Sequence, residues 1–319
     1  MVATVVGRTQ LVRLAIKTVF WLLVVGVCVY LVHPGRFACE NYPNIRRNQI
    51  ESNLVQYQDG PNLCNFSVSK EEDFLLYPSW PEEGDLEAVE NGQWSPKNCK
   101  ARHETTIIIP YRNRQEHLET FLNFMHAFLQ RQMLDYHIVV VEQVANTPFN
   151  RAKLFNVGFA ESVKANRQST CFVFHDVDLL PQKLSNIYTC TKNPRHMSAS
   201  VNTFRYNLPY VSLFGGAISV TKDQFESVNG FSNVFYGWGG EDDDFYNRIT
   251  RQGLKVDRFE SSVAMYFMLS HKKEAPSQSR LQKLHSGSDR FQTDGLNSLK
   301  YELKQTTFRK LYTWYLVDV

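Results

Sequence analysis

Residues 105–129 read TTIIIPYRNRQEHLETFLNFMHAFL. The opening TTIIIP is an apolar run of strand length that stops at Pro110. Beyond it, Leu118, Phe121, Leu122, Met125, Phe128 and Leu129 recur at the spacing of one helical face. The alternation then repeats. Tyr136 to Glu142 (YHIVVVE) is a second buried strand, and Phe149 to Lys164 carries Phe155, Phe159 and Val163 on one helical face. Thr170 to Phe174 (TCFVF) is a third strand. Strands that are apolar throughout, joined by helices, imply a parallel sheet with right-handed crossovers and helices on both faces. The fold class is α/β. In such sheets ligands bind beyond the carboxyl ends of the strands, so the chemistry is sought in the residues just after each strand.

Arg112 and Arg114 come directly after the first strand. Their guanidinium forks match phosphate oxygens, as a nucleotide diphosphate would require. They also read as an ordinary basic helix start, although cations there oppose the helix dipole. The third strand runs into His175-Asp176-Val177-Asp178-Leu179-Leu180-Pro181. No GxxxxGK[ST] loop and no GxGxxG is present, which excludes the usual phosphate-loop and dinucleotide fingerprints. Two carboxylates at a strand end supply hard oxygen ligands for a divalent cation beside a diphosphate. A bare pair of this kind is common in surface turns, and its place after a buried strand is what gives it weight. Met268 and His271, read alone, are core filler and a polar end cap.

Residues 237–245 read GWGGEDDDF. Acids in the first turn of a helix are stabilised by its dipole, and Phe245 and Ile249 continue a helical period. The preceding glycines permit unusual backbone angles, and Trp238 offers a flat face for a sugar ring.

At the N-terminus, Arg8, Arg13 and Lys17 precede an apolar run from Thr18 to Val32. With Leu14 to Ile16 it is long enough to cross a bilayer, Lys17 snorkelling. The next residues, His33-Pro34-Gly35-Arg36, offer no small-residue cleavage site, so an anchor is expected rather than a cleaved signal peptide. The organisation expected is a cytosolic tail (1–13), a signal-anchor (14–32), a polar stem (33–62) and a luminal domain (63–319). Six cysteines suit an oxidising compartment: Cys28, Cys39, Cys64, Cys99, Cys171 and Cys190. The last four allow two disulfides in three pairings. Asn65-Phe66-Ser67 is a glycosylation sequon. The net charge is +3, from 35 basic and 32 acidic residues, with no long basic stripe, so no nucleic-acid partner is expected.

These pieces together resemble the β-1,4-galactosyltransferase family. The resemblance is carried by FNRAKLFNVGF (149–159), CFVFHDVDLLP (171–181), LPYVSLFGG (208–216), NGFSNVFYGWGGEDDDFYNRI (229–249) and DGLNSLKY (294–301), and it spans about Cys64 to the C-terminus. It implies a GT-A fold, a Rossmann-like and mostly parallel central sheet, behind a single transmembrane helix in a type II Golgi membrane protein. It further implies an inverting, single-displacement transfer from a UDP-sugar, dependent on Mn2+. By the same resemblance Asp178, Met268 and His271 are metal ligands. The UDP-sugar set is Pro110, Arg112, Arg114, Phe149, Arg151, Asp176, Val177, Leu213, Trp238 and Gly239. Asp242 matches the catalytic base and Glu241 contacts sugar hydroxyls beside it. The acceptor set is Tyr210, Trp238, Gly240, Glu241, Asp242, Arg280 and Leu281. The implied disulfides are Cys64–Cys99 and Cys171–Cys190. Asp242, at a helix N-terminus, is expected to be ionised at luminal pH. Asp243 and Asp244 are left as a favourable helix start.

The sequence departs from the family at Leu213, where vertebrate galactosyltransferases carry tyrosine beside the C2 substituent of the donor sugar. A smaller aliphatic leaves space for an N-acetyl group, where overpacking would cost about 1–3 kcal/mol. UDP-GalNAc is therefore the expected donor, with UDP-Gal as the alternative. Arg280 and Leu281 stand where the family places an Arg-Phe pair around the acceptor's N-acetyl group, so a GlcNAc-terminated glycan is the expected acceptor. A xylose acceptor is disfavoured, because Gly240 stands where that branch has a basic residue. A reading from another class is an inactive, lectin-like Golgi protein; the presence of Asp242, Asp178, Met268 and His271 argues against it. An accessory protein that redirects acceptor choice would leave no legible motif.

Overall fold

Ile107, Ile108 and Ile109 have no exposed surface at all, yet they face opposite ways. Ile107 and Ile109 enter one hydrophobic cluster and Ile108 another. Successive strand residues point to opposite faces, so this strand lies at the middle of a sheet covered on both sides. The computed structural model describes residues 2–32, 42–55, 60–67, 73, 84–144, 147–165, 169–272 and 274–319, with the side chains of 2–12 and 32 excluded.

In chain order the elements begin with helix α1 (Val2–Val32), the short helix α2 (Ile50–Asn53), β1 (Gln93–Trp94) and β2 (Glu104–Tyr111). Next come α3 (Gln115–Arg131), β3 (Asp135–Gln143), α4 (Arg151–Lys164), β4 (Cys171–His175) and β5 (Leu179–Pro181). β6 (Arg195–His196), β7 (Ser200–Val201), β8 (Ala217–Thr221), α5 (Lys222–Ser227) and α6 (Glu241–Arg251) are next in the chain. The chain closes with β9 (Met265–Met268), α7 (Arg280–His285), α8 (Gly287–Arg290) and the hairpin β10 (Glu302–Phe308) and β11 (Thr313–Asp318). The main sheet runs β10-β11-β3-β2-β4-β8-β6, with β1 paired to β3. The pairings β3·β2 and β2·β4 are parallel, as the sequence pattern implied; β11·β3 is also parallel, and the remaining flanking pairs run antiparallel. A second sheet, β5-β9-β7, sits beside β4 and sets Leu179 opposite Met268.

The apolar face of α3, with Leu118, Phe121, Leu122, Met125 and Phe128, covers one side of the sheet. α4 and α6 cover the other, where Phe155, Phe174, Phe225, Phe231 and Phe245 pack as one aromatic group. Each buried phenylalanine contributes on the order of 2 kcal/mol through removal of apolar surface from water. α4 starts two residues later than its apolar pattern suggested, because Asn150 caps it by accepting from the backbone N–H of Lys153 at 2.9 Å.

Part of the segment expected to be a loose stem is docked. Ile45 forms a parallel bridge to Phe259, and Leu54 pairs with Thr191. Ile50 and Leu54 join a third cluster with Phe259, Val263 and Ala264. The remaining stem residues 33–41 and 56–59 lie outside the described residues. Disulfides join Cys64 to Cys99 and Cys171 to Cys190, and Asn65 is exposed. Arg13–Leu31 of α1 is apolar enough to cross a membrane, and its 19 residues at about 1.5 Å each reach about 28 Å.

Candidate active site

The residues that follow the carboxyl ends of β2, β3 and β4 meet one another: Arg114 reaches Asp178 at 2.9 Å and Arg112 reaches Thr147 at 2.7 Å. Beyond β2, the Arg112 guanidinium lies 5.1 Å from the ring centre of Phe149 and donates to the Thr147 carbonyl at 2.7 Å. The ring contact and the hydrogen bond fix the orientation of its planar fork. The strand expected to stop at Pro110 runs one residue further, to Tyr111, with Pro110 paired opposite Val141; Pro110 and Val177, the latter between the two acids of the DVD stretch, are both buried and present no polar side chain.

Arg114 reaches across to β4. Its Nη1 donates to Asp178 Oδ2 at 2.9 Å, and its Nη2 is 3.4 Å from His271 Nδ1. His271 Nε2 is 3.0 Å from the same Asp178 oxygen. Met268 sits on β9 opposite Leu179, its backbone N–H held by the Asn202 side chain at 2.8 Å and its sulfur accepting from Thr203 at 3.7 Å. The next backbone N–H, of Leu269, donates to the Asp178 carbonyl at 2.7 Å. Asp178 and Met268 are thus placed by strand pairing, and His271 comes three residues on. Among the described residues no group of three or more His, Cys, Asp and Glu side chains is placed to hold a metal. The candidate set is one carboxylate, one imidazole and one thioether, an incomplete shell that leaves positions for a ligand's oxygens.

Arg151, at the first turn of α4, organises the other half. Its Nε donates to Asp176 Oδ1 at 2.5 Å, its Nη1 is 3.5 Å from Glu241 Oε1, and its Nη2 donates to the Gly216 carbonyl at 3.4 Å. The face of the same guanidinium rests 4.6 Å from the Phe155 ring centre. Glu241 keeps one carboxylate oxygen, Oε2, buried and without a hydrogen-bond partner. An unsatisfied buried carboxylate oxygen is costly, and a donor from water or from a ligand would satisfy it. Burial pushes Glu241 above the usual carboxylate range, opposed by Arg151.

Gly240 caps α6 with φ +95°, a left-handed conformation that disfavours any side chain, and a Cβ there would stand 2.9 Å from the Phe235 ring. That turn delivers Glu241 and Asp242 together. The Asp242 carboxylate lies against the chain at Gly215, where a Cβ would come within 2.5 Å of Oδ2. Burial first, then the charges of Glu241 and Asp243, push Asp242 up to about 7, with Arg151 opposing. The expectation of a fully ionised Asp242 is thereby corrected. The dipole and the Asp243 N–H, which donates to Asp242 at 3.0 Å, are outweighed by desolvation and two neighbouring acids. The raised value suits a group that takes a proton near neutral pH.

The other two acids separate. Asp243 accepts from the Tyr210 hydroxyl at 3.1 Å. Asp244 is buried and pairs with Arg248 at 2.7 Å; Arg248 is also 3.6 Å from Asp294, whose carboxylate accepts from the Asn233 N–H at 2.8 Å and from the Ser232 hydroxyl. This network ties α6 to the C-terminal segment. Its clue in the sequence was the DGLNSLKY stretch, which contains Asp294 but names no partner.

Trp238 is 56% exposed, and its carbonyl accepts from the Ser277 N–H at 3.0 Å. Arg280 packs over Gly239 and Gly240, while Leu281, also 56% exposed, turns outward. Tyr210, Trp238, Arg280 and Leu281 therefore border the acids from the solvent side. Leu213 accepts from Arg258 at 3.0 Å through its carbonyl. It is half-buried against the third cluster, alongside Tyr42, Ile45 and Ile187.

Residues 78–191 match the family model described as the N-terminal region of glycosyl transferase group 7, and residues 195–272 match the N-terminal domain of galactosyltransferase. The chain is 45% identical over 231 residues to human β-1,4-galactosyltransferase 1, covering 72% of this chain and 58% of that one. It is 41% identical to the mouse protein of that name, covering 82% and 64%, and 42% identical to β-1,4-galactosyltransferase 4 of Cricetulus griseus, covering 72% and 67%. The match thus spans less than two thirds of the human and mouse relatives' own length. The catalytic domain of Drosophila β-1,4-galactosyltransferase 7 with xylobiose superposes with a TM-score of 0.60 at 30% identity, covering 68% of this chain and 94% of that one. A variant of the Drosophila enzyme, solved with manganese, UDP-Gal and xylobiose, superposes at 0.57 with 28% identity.

Proposed function

The chain belongs to the β-1,4-galactosyltransferase family and has its GT-A fold, and from that premise we propose that it transfers GalNAc from UDP-GalNAc, in β-1,4 linkage and with inversion, to GlcNAc-terminated glycans. The observation that carries the reading is geometric: the Gly240 turn delivers Glu241, with one buried oxygen lacking a hydrogen-bond partner, and Asp242 together at the start of α6, where burial and neighbouring acids push the Asp242 carboxyl up to about 7. Glu241 Oε2 accepts from a sugar hydroxyl, and Asp242 takes the proton from the attacking acceptor hydroxyl. Arg151 holds Asp176 and Glu241 in register, so the donor half and the acid half of the site move together. Arg112 and Arg114 bind the diphosphate.

Asp178, Met268 and His271 would hold Mn2+, whose charge, when bound, stabilises the diphosphate leaving group. His271 Nδ1 faces the Lys272 carbonyl at 3.0 Å, which leaves Nε2 as the coordinating nitrogen. Trp238, on its glycine-flanked segment, covers the donor and excludes water that would hydrolyse it. Tyr210, Arg280 and Leu281 flank the acceptor. The apolar α1 anchors the enzyme in the Golgi membrane with the catalytic domain luminal and Asn65 glycosylated.

Leu213 supports UDP-GalNAc over UDP-Gal, since a leucine lacks the ring that would crowd an N-acetyl group. The test is a donor comparison with the full-length chain in detergent with Mn2+, wild type against Leu213→Tyr. UDP-GalNAc turnover in wild type and a shift of at least tenfold towards UDP-Gal in the variant are expected. Exclusive use of UDP-Gal by wild type would leave a β-1,4-galactosyltransferase with the same acceptor.

A further inference from the structure

The segment Val211–Gly216 has no regular secondary structure, and alternate carbonyls along it are held by buried side chains. Arg258 Nη2 donates to the carbonyls of Val211 at 2.7 Å and Leu213 at 3.0 Å. His196 Nε2 is 3.1 Å from the Gly215 carbonyl, which also accepts from the Ser198 hydroxyl at 3.0 Å. Arg258 Nε donates to His196 Nδ1 at 3.2 Å. That bond fixes the tautomer: Nδ1 accepts, so Nε2 carries the proton that goes to Gly215. Arg258 is 2% exposed and His196 1%, so both are spent on this segment rather than on solvent.

The docked segment of residues 42–54 lies over Arg258. The Tyr42 ring centre is 5.5 Å from the Arg258 guanidinium carbon. The Ile45 N–H donates to the Arg258 carbonyl at 2.7 Å, and the Glu260 N–H donates back to the Ile45 carbonyl at 3.0 Å. Tyr42, Ile45 and Leu213 pack against the same cluster. A continuous physical path therefore runs from the membrane-proximal segment, through Arg258, to the backbone at Leu213 and Gly215, the latter against Asp242.

We propose that Arg258, covered by the strap of residues 42–54, and His196 are positioning residues that set donor selectivity by fixing the backbone on both sides of Leu213. The proposal rests on the reading of Leu213 as the residue beside the donor's C2 substituent. Arg258 donates to both carbonyls from Nη2 while its Nε, rigid in the same plane, donates to His196; a lysine ammonium has no second nitrogen in a fixed plane to hold the carbonyls and His196 together. Small displacements of a positioning group are enough to change discrimination without loss of the fold.

The test uses the full-length chain with Mn2+ and three variants: Arg258→Lys, Tyr42→Ala and Leu213→Tyr. Two quantities are read: the ratio of kcat/KM for UDP-GalNAc to that for UDP-Gal, and amide hydrogen exchange across residues 208–216. Arg258→Lys and Tyr42→Ala are expected to move the ratio at least threefold towards unity and to speed exchange in that segment. The inhibition constant of UDP alone stays unchanged, which a general loss of structure would not allow. Tyr42 is only partly buried, so its variant folds even where Arg258→Lys does not. If Leu213→Tyr moves the ratio while both other variants leave it in place, the proposal is overturned. If Leu213→Tyr itself leaves the ratio unchanged, the donor reading is what fails. The clamp then stands on faster exchange alone and falls with unchanged exchange.

Discussion

The Arg114 guanidinium donates to the Asp178 carboxylate at 2.9 Å, so the acid that would hold a metal is already answered by an internal cation. Burial and Asp176 raise Asp178, while His271 and Arg114 pull the other way. The same fork is the group expected on the diphosphate, and it serves one partner at a time. Arg114→Met should therefore act with opposite signs on two ligands. UDP binding weakens by about tenfold, the worth of one charge-assisted contact. Mn2+ binding without nucleotide becomes tighter, read by the spin-resonance signal of free Mn2+. Weaker binding of both ligands would show that Arg114 supports the metal site instead of competing for it.

Asp242→Asn should cost about 100- to 10,000-fold in kcat, the range for removing a general base. UDP binding should be preserved, because the diphosphate is assigned to Arg112 and Arg114 rather than to Asp242. Titration calorimetry with UDP and Mn2+ separates the two effects.

The same substitution should stabilise the fold at neutral and higher pH. The folded Asp242 carboxyl is raised to about 7, above the unfolded value near 4. Between those values the folded chain binds more protons than the unfolded one, so this group's contribution is present at low pH and is lost as pH rises towards 7. Removing the charge avoids that loss, on the order of 1–2 kcal/mol once solvent at the cleft is allowed for. Thermal melts at pH 5 and pH 8 should show a higher Tm for Asp242→Asn at pH 8 and little change at pH 5. In wild type, kcat/KM should rise with pH through an apparent value near 7 that belongs to the Glu241–Asp242 pair.

Asp244→Ala should behave differently from its neighbours. It leaves Arg248 buried with Asp294 and the Gly230 carbonyl as its remaining polar partners, a loss of about 3 kcal/mol. At about 2–4 °C per kcal/mol for a domain of this size, Tm falls by about 6–12 °C. Activity at low temperature should survive, in contrast to Asp242→Asn. Asp243→Asn, whose amide oxygen still accepts from the exposed Tyr210 hydroxyl, should change Tm by less than about 2 °C.

Legibility in the sequence tracks the range of the interactions. Strands β2, β3 and β4 and helices α3 and α4 announced themselves through local apolar periods, and those periods placed the cleft at the strand ends. The flanking strands β8, β10 and β11 carry no such signal: β10 is almost wholly exposed and β8 is a five-residue run after glycines. The four acids of α6 look alike in sequence. Three of them differ through distant partners: Arg151 for Glu241, Gly215 for Asp242 and Tyr210 for Asp243; Asp244 is set apart by Arg248, one turn along the same helix, and through it by Asp294. The ionisation of Asp242 was misread because a helix dipole is a local feature, while desolvation depends on the whole cleft. The docking of residues 42–54 was hidden for a related reason. Tyr42, Ile45, Ile50 and Leu54 are sparse apolar residues in a polar stretch, and their partners Phe259 and Val263 lie about two hundred residues away.

The central claim is that this chain is a turning-over transferase whose base is Asp242. The most direct measurement is acceptor-dependent UDP release by the full-length chain with Mn2+, a UDP-sugar and a GlcNAc-terminated acceptor, with the product's linkage read by NMR. A β-1,4-linked GalNAc product, formed by wild type and abolished in Asp242→Asn, is the predicted result. UDP that binds but is never generated from either UDP-GalNAc or UDP-Gal would contradict the account and return the chain to the lectin-like class.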